Sequence, residues 1–249
     1  MRTAAFPAII LRTAPLACQL AVKKTPDDGI KSDVYITRDG KLVIFRDASV
    51  ERTYNGTGFI KSMTYDELPT LDIGARKSPE FTGQHIWAFG QRLDFCQETK
   101  MLLNMELKNY EVFYEGLEQR VIDETCDRKT QDQVFVSSFN HISMRHVKEL
   151  CPDIETRLLY DKPCLDMELV PTPTTCTPRY MLLQYQPELM ELFLGWGIKF
   201  NTWTVNDEEN IPNFELQVAI RMAEICHANG IRRINIHQWL VTRRLIEMP

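Results

Sequence analysis

The chain has 249 residues, an apolar fraction of 44%, a charged fraction of 25% and a formal net charge of −5. That length suits one large core, and the ordinary composition excludes collagen, extended disorder and a disulfide miniprotein. The mild acidity argues against a nucleic-acid partner, whose phosphates demand a basic footprint.

The expected elements run as follows. Phe6 to Leu11 is a short apolar run that suits a strand. Met1 to Leu11 also resembles a short signal sequence, but Arg12 breaks the run and Leu16 to Lys24 reads as the first helix, so structure is preferred over targeting. Gly29 to Thr37 and Lys41 to Phe45 are strands, joined by an Asp39-Gly40 turn of the tight or hairpin kind. Tyr54 to Gly58 is a loop. Thr64 to Leu68 is a short helix with Thr64 as its N-cap and Glu67 completing a capping box. Asp72 to Gln84 is an irregular connection.

Strands and helices then alternate. Met101 to Leu107, Gln133 to Ser138, Thr156 to Tyr160, Ile198 to Val205 and Ile231 to Ile236 are strands. Tyr114 to Glu124, Ser143 to Leu150, Pro187 to Leu194 and Asn213 to His227 are helices. Pro163 to Pro178, with four prolines, is a long loop between a strand and the next helix. This order implies parallel βαβ units. No run of 18 apolar residues occurs, so no membrane span is expected.

Cysteine and histidine usage adds two constraints. The seven cysteines form no CxxC pair and no zinc-finger spacing, which suits reduced thiols in a cytoplasmic protein. The five histidines are His85, His141, His146, His227 and His237, so residues 1–84 contain none.

Several segments together resemble the glycerophosphodiester phosphodiesterase family. They are Asp33-Val34-Tyr35-Ile36-Thr37-Arg38-Asp39-Gly40, Val43-Ile44-Phe45-Arg46-Asp47, and Glu51-Arg52-Thr53-Tyr54-Asn55-Gly56-Thr57-Gly58. Further along come Asn104-Met105-Glu106-Leu107-Lys108, Ser137-Ser138-Phe139-Asn140-His141, and Asn201-Thr202-Trp203-Thr204-Val205-Asn206-Asp207. The resemblance implies a single (β/α)8 barrel over residues 1–249, with a small insertion after the third strand at about residues 48–85. It also implies metal-assisted hydrolysis of glycerophosphodiesters in lipid metabolism. In that chemistry two histidines act as acid and base, and carboxylates hold Ca²⁺ or Mg²⁺ against the phosphate.

The chain departs from that pattern at the positions that carry the reaction. The opening His-Arg-Gly falls on Ala4-Ala5-Phe6, or with a shorter loop its Arg falls on Arg12. The Glu-x-Asp pair is Lys31-Ser32-Asp33, and the second histidine is Arg46. Asp33, Glu106, Lys108 and Trp203 match the family. A guanidinium stays charged over the working pH range, so Arg46 cannot relay protons as an imidazole does.

Lys31 and Asp33 stand two apart on a strand and so share a face. Asp33 and Glu106 therefore read either as a residual metal site or, preferred, as a cluster paired with Lys31 and Lys108. Arg46, with Lys31, Lys108 and Arg12, reads either as an anion pocket for a phosphate or phosphodiester ligand or as a structural ion pair to Asp47 or Glu106. Trp203 reads as core packing or as a stacking surface. Asn140 reads as a helix N-cap, and His237 as the one histidine placed to compensate for the lost pair.

The functional expectation is a catalytically silent family member, a pseudoenzyme with a residual phosphate pocket. Its alternatives are an active metal-dependent hydrolase with a rearranged centre and a family scaffold altered at its functional positions.

Overall fold

The computed structural model describes residues 29–51, 56–70, 72, 82–160, 175–178 and 199–200, together with Pro15, Cys18, Gln19 and Val22. The four isolated positions are helical, three of them within the Leu16 to Lys24 segment expected as a helix, and Cys18 is fully buried. The strands expected at Phe6 to Leu11 and Ile231 to Ile236, and the helices at Pro187 to Leu194 and Asn213 to His227, lie outside the described residues, as do Arg12, Trp203 and His237.

Seven strands form one sheet. They are β1 (Gly29–Ile36), β2 (Leu42–Ile44), β3 (Leu102–Leu107), β4 (Val134–Ser138), β5 (Glu155–Tyr160), β6 (Thr175–Pro178) and β7 (Lys199–Phe200). Their order is β2-β1-β3-β4-β5-β6-β7. Every pair from β1 through β7 is parallel, and β2 alone is antiparallel to β1. Three helices lie between strands: α1 (Phe89–Thr99), α2 (Leu117–Asp127) and α3 (His141–Leu150).

The hairpin follows from its turn residues. Gly40 has φ +80°, a conformation that favours glycine. The Thr37 hydroxyl donates to Asp39 Oδ1 at 2.6 Å and accepts from the Lys41 N–H at 2.9 Å, which closes the turn. β2 thus returns along β1, and the Phe45 N–H donates to the Asp33 carbonyl at 3.0 Å. The β2 strand is therefore a hairpin arm rather than a parallel stave.

Beyond it, within the segment expected as an insertion, stand two 3-10 turns, Ile60–Ser62 and Tyr65–Thr70. The second replaces the helix expected at Thr64 to Leu68. Half of the expected box is present, because Glu67 Oε2 accepts from the Thr64 N–H at 2.7 Å. Pro69 follows within the same turn, and its missing N–H suits so short a helix.

The β1, β3, β4 and β5 strands are buried along nearly their whole length, as parallel strands covered on both faces are. Val34, Leu103, Met105, Leu107, Val134, Val136 and Leu158 form a core with Val121 of α2 and Met144 and Val147 of α3. α3 packs on β4 and β5.

Two further sequence expectations are corrected, and one helix had carried no expectation. The Tyr114 to Glu124 helix instead begins at Leu117, behind Gly116 with φ +72°. Asn109 Oδ1 takes the Tyr114 N–H at 2.7 Å and so holds those first residues in a loop. The Pro163 to Pro178 segment, read as one loop, contains β6, whose Thr-Cys-Thr stretch pairs with β5 before Pro178 ends it. The helix α1 starts behind Ala88, whose N–H donates to Gln91 Oε1 at 2.9 Å. Its weak amphipathicity left it without a sequence signal of its own.

Candidate phosphate-ligand site

Strand register builds the site. Asp33 pairs with Glu106, Glu106 with Ser137 and Ser137 with Arg157. Residues in register share a face, so this row and the row beneath it, Lys31, Asn104, Phe135 and Glu155, lie on the face away from the core side chains. That face is polar and largely satisfied from within. Ser137 Oγ donates to Asn104 Oδ1 at 2.7 Å. Arg157 Nη2 is 2.7 Å from Glu155 Oε1, and its guanidinium lies 3.4 Å from the Phe135 ring centre, a cation–π contact.

The two carboxylates are bridged by ammonium groups. Lys31 Nζ lies 2.5 Å from Asp33 Oδ1 and 2.6 Å from Glu106 Oε2. Lys108 Nζ lies 2.5 Å from Glu106 Oε1 and 3.6 Å from Asp33 Oδ1. All four side chains are largely buried, Glu106 most of all. Of the two readings of Asp33 and Glu106, the geometry is that of the cluster with Lys31 and Lys108.

Electrostatics agree with the distances. Burial alone would raise the Asp33 carboxyl, but Lys108, Lys31 and, more weakly, Arg46 outweigh it and hold it at about 2. Burial would lower the Lys108 ammonium, and Asp33 and Glu106 outweigh that too, so it is raised. Each charge is kept by its neighbours.

This donor set does not fit a hard divalent cation. Such an ion needs several oxygens turned toward one point. Here Asp33 Oδ1, Glu106 Oε1 and Glu106 Oε2 each face an ammonium group at hydrogen-bond distance. Among the described residues, no group of three His, Cys, Asp or Glu side chains gathers to supply others.

Arg46 follows β2 and is half-buried. Its carbonyl accepts from the Tyr35 hydroxyl at 3.0 Å, which fixes the backbone beside Asp33. Its positive charge is near enough to Asp33 to help lower that carboxyl, the smallest of the named contributions. Asn140 caps α3 as expected, its Oδ1 accepting from the Ile142 and Ser143 N–H groups. His141 places Nε2 at 3.2 Å from the Leu159 carbonyl oxygen.

One member of the site escaped sequence reasoning. Tyr110 follows β3, and its hydroxyl accepts from Lys108 Nζ at 3.2 Å. Its ring is partly exposed and meets Phe139 edge-on at 5.4 Å between centroids. Its only sequence signal was an aromatic two residues past Lys108, where the strand has ended.

The sequence pattern of the glycerophosphoryl diester phosphodiesterase family matches residues 16–228. The chain belongs to this family. It is 34% identical to a glycerophosphodiester phosphodiesterase of Caldanaerobacter subterraneus over 187 residues, 74% of this chain and 76% of that protein. It is 35% identical to a glycerophosphodiester phosphodiesterase of Bacillus altitudinis over 200 residues, 75% of this chain and 78% of that protein.

Solved structures agree on the fold. The glycerophosphodiester phosphodiesterase of Agrobacterium tumefaciens superposes with a TM-score of 0.71 at 20% identity, covering 91% of this chain and 90% of that one. A phosphodiesterase of Oleispira antarctica, solved with the product sn-glycerol-3-phosphate, gives 0.73 at 21% identity, covering 95% and 92%. The glycerophosphoryl diester phosphodiesterase fold is a (β/α)8 barrel. Glu106 and Lys108 stand at the carboxyl end of β3, the end at which such barrels carry their sites.

Proposed function

We propose that this chain is a glycerophosphodiester phosphodiesterase-like barrel that binds a phosphate-bearing glycerol ligand but has lost the family's metal-assisted hydrolysis. The observation that carries this reading is the Lys31 ammonium lying between Asp33 and Glu106. A cation shared by this carboxylate pair would have to displace the Lys31 ammonium and break its charge-assisted contacts to both residues. Arg46 supports the same reading, since a guanidinium beside Asp33 attracts a phosphate but relays no proton. The Oleispira antarctica relative is solved with sn-glycerol-3-phosphate, and the same ligand class is proposed here.

The compartment proposed is the cytoplasm. Cys18, Cys96, Cys126, Cys151 and Cys176 carry free thiols. Among the described residues no helix is long and apolar enough to cross a membrane.

Calorimetry tests both halves of the proposal. The chain should bind glycerol 3-phosphate in the presence of EDTA and give no heat with Ca²⁺ or Mg²⁺ in its absence. Lys31→Glu combined with Arg46→His should create measurable cation binding. Micromolar cation affinity in the unaltered chain would overturn the proposal. So would hydrolysis of glycerophosphocholine above an Asp33→Ala control, which would establish the rearranged active centre instead.

A further inference from the structure

Two cysteines meet at the end of the sheet opposite the charged cluster. Cys126 lies in the last turn of α2, and Cys151 is the residue that ends α3. Each helix leads back to the amino end of a strand, α2 to β4 at Val134 and α3 to β5 at Glu155. β4 and β5 are parallel neighbours, and α2 packs on α3, so the two helix ends stand side by side.

The thiols touch across this junction. The Cys126 and Cys151 side chains share a hydrogen bond, and the Gln131 side chain bonds Cys126 as well. Both cysteines are partly exposed, and both pack against the edge of the core. Backbone bonds hold them in place. The Cys126 carbonyl accepts from the Lys129 N–H at 2.9 Å, and the Cys151 N–H donates to the Val147 carbonyl at 2.9 Å.

Cys18 and Cys96 also interact, but both are shut away from solvent, and burial pushes the Cys96 thiol up to about 12. Cys126 and Cys151 combine mutual contact with access to solvent. Burial and the neighbouring Cys151 raise the Cys126 thiol, so Cys126 keeps its proton and donates it toward the Cys151 sulfur.

We propose that Cys126 and Cys151 form a reversible oxidation site, a dithiol that a peroxide converts to a disulfide joining α2 to α3. The Cys151 sulfur attacks one peroxide oxygen, the O–O bond breaks, and the other oxygen leaves as water, taking up the Cys151 proton. The Cys126 sulfur then attacks the resulting sulfenic acid, the S–O bond breaks, and the hydroxyl leaves as a second water with the Cys126 proton. Two thiols and one hydrogen peroxide give one disulfide and two waters. The sulfurs lose two electrons and the peroxide gains them. A small-molecule thiol reverses the step by exchange. The sulfurs lie at the amino ends of β4 and β5, so nothing bound at the charged cluster enters the reaction.

The test treats the whole chain with hydrogen peroxide, blocks the remaining thiols with iodoacetamide and maps tryptic peptides without reductant. Residues 121–128 and 149–157 should appear as one joined peptide that dithiothreitol separates. The thermal midpoint should rise by about 5 °C on oxidation and return on reduction, because the bond closes a long loop. Cys126→Ser should leave a sulfenic acid on Cys151 that dimedone traps, with no rise in the midpoint.

Sulfinic acid on either cysteine with no joined peptide would overturn the site. So would Cys18 joined to Cys96, or either cysteine joined to a second chain, as the main product. An equal yield of the Cys126–Cys151 bond in urea would show that the fold does not bring the sulfurs together. No dimedone adduct on Cys151 in the Cys126→Ser chain would overturn its role as the attacking sulfur.

Discussion

Lys31 reaches across one strand boundary to Glu106, its Nζ 2.6 Å from Glu106 Oε2. The two residues are not in register with each other. Lys31 pairs with Asn104 and Asp33 with Glu106, so the lysine leans two residues up its own strand to bridge both carboxylates. That lean is possible because residues two apart on a strand stand on one face, and a lysine stem spans the gap.

Removing the bridge should be costly. Lys31→Met leaves Asp33 and Glu106 facing each other with Lys108 alone between them. Unfolding in urea should show a loss of about 3 kcal/mol, the usual scale for stranding a buried charge. A loss under about 0.5 kcal/mol would mean that water, not Lys31, balances the pair.

The acid limb of stability carries the same signature. Asp33 in the folded chain titrates at about 2, below its unfolded value near 4. Its contribution is therefore complete above about pH 4 and is lost as pH falls toward 2, an effect of about 2 kcal/mol. Lys108 is raised, so its contribution is complete below its unfolded value and fades only as pH rises through the folded one. Thermal melts between pH 5 and 2 should fall more steeply for the unaltered chain than for Asp33→Asn. Parallel slopes would show that Asp33 is not the group responsible.

Asn140→Ala should destabilise by about 1 to 2 kcal/mol through the lost cap on α3. It also removes the bond to the Asn109 carbonyl. Hydrogen exchange should therefore quicken in residues 109–116 as well as at the start of α3. Exchange confined to α3 would show that the loop is held by other contacts.

Gly40→Ala should cost about 1 kcal/mol, because φ +80° disfavours any Cβ. The added carbon would sit 3.4 Å from Arg120 Nη1, which can yield. A neutral result in chemical denaturation would mean the turn relaxes to another type.

Legibility in the sequence tracked how local each cause was. The hairpin was readable because Asp39 and Gly40 carry their turn preference themselves. The shared face of Lys31 and Asp33 was readable from strand geometry. Their meeting with Glu106, 73 residues further on, came only from the family pattern, since nothing in composition fixes the register of distant strands.

Other features left no local trace. β6 is four residues long and ends on a proline, which by itself reads as loop. The late start of α2 depends on Asn109 holding the Tyr114 N–H. The contact between Tyr110 and Phe139 exists only once two loops are folded side by side.

Asn140 does two things at once: its oxygen caps α3 and its nitrogen holds the loop after β3. In that loop, Asn109 in turn holds the Tyr114 N–H and Glu118 of α2. The two loops are therefore free to change length only together. A residue inserted after β3 would pull on the start of the next helix along. Variation at this mouth should arise in matched pairs of loop changes, and a designer grafting one loop here must graft its neighbour with it.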